Sequence, residues 1–130
     1  MTPLRSPLRW WAGPLLLITA AVHVPLIPSH LEEAPYVGVL FIALAVVCIV
    51  LAALLMVRDT RAVWAVAAVV TLMAFATFLF SRTVGLPQVG DDIGNWSDPL
   101  GFPALFAESL ATLVAFSVLH RTSIARKETS

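Results

Sequence analysis

Four long apolar runs, each about 18–23 residues, alternate with short polar stretches along this chain. The runs fall at residues 10–27, 35–57, 62–81 and 103–120. At a rise of about 1.5 Å per residue, each is long enough as a helix to cross the ~30 Å hydrocarbon core of a bilayer. The pattern predicts an all-α membrane protein, a single transmembrane domain over residues 1–130, built as a four-helix bundle. Pro35 and Pro103 stand at predicted helix starts, where a missing N–H is harmless. Pro25 and Pro28 are expected to end the first span, and Pro14 to bend it slightly near its start.

Composition agrees with this pattern. The chain is 59% hydrophobic and 12% charged, where a soluble domain carries about 25% charge. Mean hydropathy is +0.91. The formal net charge of zero gives no basis for nucleic-acid binding. Cys48 is the single cysteine, so no intrachain disulfide is possible, and its apolar surroundings mark it as a packing residue.

The loops alternate in sign. Arg5, Arg9, Arg58, Arg61, Arg121, Arg126 and Lys127 place seven of the eight basic residues on one side, which the positive-inside rule makes cytoplasmic. Glu32, Glu33, Asp91, Asp92 and Asp98 lie on the other. The expected protein is therefore a multi-pass protein of the cell membrane with both termini cytoplasmic. Trp10, Trp11 and Trp64 are expected at the inner interface as an aromatic belt. A rival reading takes Arg5, Arg9 and the run ending Thr19-Ala20-Ala21 as a signal peptide, which after cleavage would leave three spans.

The inner link Arg58-Asp59-Thr60-Arg61 is short enough to make spans two and three an antiparallel hairpin. The first outer loop, residues 28–34, is also short. The second, residues 82–102, is longer and rich in Gly, Pro and Asp, which predicts ordered turns; such a loop on a small bundle is often functional.

Few polar residues interrupt the spans, and they gather toward the outer side. Glu108 shares a helical face with Ala104, Ala111 and Ala115, and small residues mark where another helix approaches closely. Glu108 is thus expected inside the bundle, roughly 7–9 Å below the outer end of its helix. His23, on a face with Ala12, Leu16 and Thr19, lies at a similar depth. Arg82 ends the third span as the one basic residue on the outer side, placed to neutralise Glu108, Asp98 or the Glu32–Glu33 pair. His30 lies just beyond Pro28. Asp91 and Asp92 read as solvated turn residues, His120 as interfacial, and Phe75, Phe78 and Phe80 as lipid-facing or packing.

Two stretches together resemble a known group. One is His23-Val-Pro-Leu-Ile-Pro-Ser-His30-Leu-Glu-Glu-Ala-Pro-Tyr-Val-Gly38. The other is Ser81-Arg-Thr-Val-Gly-Leu-Pro87, followed by Asp98-Pro-Leu-Gly101 and Glu108. They resemble small, uncharacterised four-span bacterial membrane proteins of the actinobacterial type. The resemblance implies four spans and an outer polar cluster, and carries over no catalytic residue.

The expected site comprises His23, His30, Glu33, Arg82, Asp98 and Glu108. It suits a small ligand, or a divalent metal ion held by His23, His30 and Glu33, since imidazole and carboxylate are ligands for zinc, copper or iron. A second reading is a membrane enzyme acting on a lipid-soluble substrate, with Glu108 as general acid or base and His23 as relay. A third is an accessory or assembly subunit of a larger membrane complex, or a homo-oligomer. The polar cluster also fits a structural role, as glue between helices.

Overall fold

The computed structural model describes residues 2–130, whose regular elements are all helices, with no strand among them. α1 spans Arg9–His23, α2 Ile27–Glu33, α3 Pro35–Val57, α4 Arg61–Thr83 and α5 Gly101–Glu128. A single 3-10 turn, Val24–Leu26, joins α1 to α2, so that Arg9–Glu33 forms one nearly continuous span. The four resulting spans are 25, 23, 23 and 28 residues long, each above the ~20 needed to cross a bilayer. The chain is thus a four-span membrane helical bundle.

The boundaries of α3 match those predicted, and α4 differs by one or two residues. The first outer loop does not exist as a loop: residues 27–33 form α2. Pro25 and Pro28 each occupy the first turn of a new helical segment, where the absent N–H breaks no bond. They restart the helix that they were expected to end. The true break is Ala34, which leaves the helical region at φ −146° and ψ 85°, where the following Pro35 disfavours a helical conformation. α5 runs past residue 120 to Glu128, its last turns lying beyond the apolar run.

The helices pack in the order α3, α1, α5, α4, with extensive contact between each neighbouring pair. Small residues permit this: Ala12, Ala20, Ala67, Ala68, Ala111 and Ala115 are all buried. The faces predicted for α1 and α5 are the buried ones, including Leu16, Thr19 and His23 on α1 and Ala104, Glu108, Ala111 and Ala115 on α5. In contrast, α3 and α4 meet only sparsely although a three-residue link joins them. They share one end and diverge toward the other.

Asp59 holds the linked end together. Its side chain is 1% exposed and accepts hydrogen bonds from the Ser6 amide and from Trp64 Nε1, while its carbonyl accepts from the Leu4 amide. Trp64 is therefore fully buried and is not part of an interfacial belt. Trp10 and Trp11 are exposed, as expected. Arg61 donates to the Leu119 carbonyl and to Thr122 and Ser123, tying the start of α4 to the far part of α5.

Candidate functional site

Where α3 and α4 diverge, a cavity of about 360 Å³ opens between them. Leu40, Ala43, Leu44 and Val47 of α3 face Val70, Met73, Ala74 and Thr77 of α4 along its body. The end away from the α3–α4 link is polar and contains His23, His30, Ser81, Arg82, Asp92 and Asp98. The apolar part comes from the middle and distal parts of α3 and α4, while the polar end adds His23 of α1, His30 of α2 and the loop residues Asp92 and Asp98 to Ser81 and Arg82 of α4.

The long loop of residues 84–100 closes the polar end. Gly85 turns it at φ 95°, and an added Cβ there would also meet Ile93 at 2.8 Å, so a side chain is doubly disfavoured. Val89 is buried against Ala34 and Val37, Tyr36 donates to the Pro87 carbonyl at 2.7 Å, and the Gly94 amide donates to the Arg82 carbonyl. The loop is folded onto α3 and the end of α4, as its turn residues predicted.

Arg82 organises this end. It is 6% exposed, with Nη1 3.0 Å from Asp92 and Nη2 3.2 Å from Asp98. Its guanidinium lies 4.6 Å over the Phe78 ring, a favourable cation–aromatic placement. Asp98 also accepts from the Leu100 amide at 3.0 Å, so one carboxylate both anchors the arginine and holds the turn that leads into α5. The expected Arg82–Asp98 pairing is present. Asp92 is not the solvated turn residue that was expected, because the Gly90–Asp92 turn brings it back onto Arg82.

Glu108 takes a different partner. It is fully buried, and its Oε1 lies 3.6 Å from Nε2 of His23. Neither carboxylate oxygen has a hydrogen-bond partner among the described residues. His23 Nδ1 lies 2.7 Å from the Thr19 carbonyl; a carbonyl only accepts, so Nδ1 carries hydrogen and Nε2 is the nitrogen turned to Glu108. His30 repeats this arrangement, with Nδ1 2.8 Å from the Leu26 carbonyl. The Phe41 ring stands 4.9 Å from one imidazole and 4.8 Å from the other. Glu108 does not itself line the cavity; His23 lies between the two, touching Glu108 and lining the cavity.

Five of the six expected residues thus gather at one end of the bundle, as two linked groups: Arg82 with Asp98, and His23 with Glu108 and, through Phe41, His30. Glu33 stands apart, exposed at the end of α2 and outside the cavity wall. The expected metal trio of His23, His30 and Glu33 is not assembled. No three His, Cys, Asp or Glu side chains converge as a ligand set among the described residues. Sequence reasoning missed Asp92, Ser81 and Phe41, which carry no local signal. Phe78 falls within the packing alternative expected for it, against Arg82 and the cavity.

No protein-family model matches this chain, and no curated protein or solved structure shows significant similarity to it.

Proposed function

We propose that this protein binds a small amphiphilic molecule that enters from the membrane and lodges between α3 and α4. The observation that carries this reading is the cavity itself: about 360 Å³, apolar along its length and polar at one end. Pockets of a few hundred Å³ with a few convergent polar groups are the usual form of small-molecule sites. The apolar tail of the ligand lies among Leu44, Val47, Val70 and Ala74, and its head meets the histidine and Arg82 groups. The sparse contact between α3 and α4 supports entry of a lipid-soluble ligand between these helices, without crossing the roofing loop. Seven of the eight basic residues lie toward the α3–α4 link or the chain termini, which supports a cell-membrane protein with that end, and both termini, in the cytoplasm. The roofed end then faces outward, the side on which the resemblance to the four-span bacterial group also puts its polar cluster.

The test is binding of dodecanol to the protein in phosphatidylcholine nanodiscs, followed by native mass spectrometry, beside an Ala74→Phe variant that fills the cavity. A saturable adduct lost in the variant is expected. An adduct that survives in a folded variant sits elsewhere and overturns the reading.

A further inference from the structure

We infer that the amphiphile bound in this cavity carries a positive charge on its head. This rests on the reading of the cavity as a ligand site and adds the chemical class of its ligand. The argument is a count of charge around the polar end. Arg82 is the single guanidinium there, and its charge already faces two carboxylates, Asp92 at 3.0 Å and Asp98 at 3.2 Å. That group sums to one negative charge. Behind it stands Glu108, fully buried with both oxygens free of hydrogen bonds. Its contact is His23 Nε2, and the pair is neutral when one proton is shared and negative when none is. Each histidine commits its Nδ1 to a carbonyl of its own helix, so the second nitrogen is a lone-pair acceptor when the ring is neutral.

A head with a full negative charge would meet this excess of carboxylates, because the one permanent cation at this end among the described residues, Arg82, is already paired. Burial raises the penalty, because like charges repel more strongly where water is scarce. A protonated amine meets the opposite situation. It supplies the missing positive charge and donates hydrogen bonds to acceptors already in place. The Phe41 ring, set beside both imidazoles, offers a further surface that attracts cations. The apolar body of the cavity then selects an amine with a hydrocarbon or aromatic tail over a small hydrophilic one.

The experiment compares dodecylammonium, dodecanol and dodecanoate, which share a tail and differ in the head, in phosphatidylcholine nanodiscs near neutral pH. Affinities are read by native mass spectrometry and checked by ligand-dependent thermal stabilisation. Dodecylammonium is expected to bind about tenfold or more tighter than dodecanoate, with dodecanol between them. Asp98→Asn keeps the oxygen that accepts from the Leu100 amide and removes one charge, and Asp92→Asn keeps shape and removes another. Each is expected to narrow the ammonium preference, with a cooperative unfolding transition showing that the variant is folded. Equal affinity for all three heads, or a preference unchanged in both variants, overturns the charge inference and leaves the cavity reading standing. Failure of every probe, dodecanol included, overturns both.

Discussion

Nε2 of His23 on α1 and Oε1 of Glu108 on α5 stand 3.6 Å apart, in the closely packed interface between those helices, and neither oxygen of Glu108 has a hydrogen bond. A carboxyl group enclosed this way depends on the imidazole for its compensation. Removing one member of such a buried pair is costly because it strands the other, whereas replacing both with apolar groups is often neutral or stabilising. His23→Ala should therefore destabilise the protein by about 3 kcal/mol, while the paired change His23→Leu with Glu108→Leu should cost far less than the two single changes together. Reversible unfolding in mixed micelles measures both. Additive losses would show that the two side chains are energetically independent.

Arg82 bridges Asp92 and Asp98 while lying over Phe78. A lysine keeps the charge but not the planar fork that reaches both carboxylates. Arg82→Lys should loosen the loop of residues 84–100, raising its amide hydrogen exchange by about tenfold, a shift of roughly 1.4 kcal/mol in opening free energy. Exchange in α1 should be unaffected. Unchanged protection around Gly94, whose amide donates to the Arg82 carbonyl, would contradict this.

Asp59 accepts from two donors, the part-buried Ser6 amide and the buried Trp64 Nε1. Asp59→Ala leaves both unpaired, at about 1–3 kcal/mol for the buried Trp64 donor, and should shift the fluorescence of Trp64. Asp59→Asn retains an acceptor oxygen and should lose less than half as much stability. Equal losses for Ala and Asn would mean that charge, through the Arg9 contact at 3.8 Å, outweighs the hydrogen bonds.

Gly38 sets the approach of α2 to α3. A Cβ there would lie 2.6 Å from the Leu31 side chain and 2.8 Å from the Leu31 backbone nitrogen. The side chain can turn away, but the backbone atom moves only if α2 moves. Gly38→Ala should thus destabilise by about 1–3 kcal/mol and displace His30 from Phe41. Histidine ring resonances that report aromatic shielding test this, and an unshifted His30 would show that the strain is absorbed elsewhere.

Thr71 and Thr112 join α4 to α5 through hydroxyls 2.8 Å apart, in a chain from Thr112 to Thr71 to the Ala67 carbonyl. Such bonds in membrane bundles are worth about 0.6 kcal/mol on average. A double-mutant cycle with Thr71→Val and Thr112→Val should return a coupling of that size. A value near zero would assign the α4–α5 contact to alanine packing alone.

Each polar side chain behaved differently as a guide. Glu108 was legible because a carboxyl group in an apolar helix has to turn away from lipid, and the alanines on its face showed where. Arg82 was legible as a cation needing acids, but not which acids: Asp98 was among those expected, while Asp92 came from a turn with no distinctive pattern. Glu33 had the same composition-level credentials as Asp98 and ended exposed, because α2 continues as a helix and leaves it outside the cavity. Trp64 looked like its interfacial neighbours Trp10 and Trp11, and only the buried carboxylate of Asp59 sets it apart.

By itself the sequence determined the helical class, the four spans and the faces that α1 and α5 bury. Those properties follow from local constraints, since a segment in a bilayer must satisfy its own backbone hydrogen bonds and direct its polar groups inward. The tertiary structure alone decided that α3 and α4, adjacent in the chain, diverge into a cavity. It also decided that Arg82 and Glu108 choose different partners, and that Pro25 and Pro28 restart a helix. These depend on distances between elements far apart in sequence, and no local pattern of hydrophobic and polar residues encodes them.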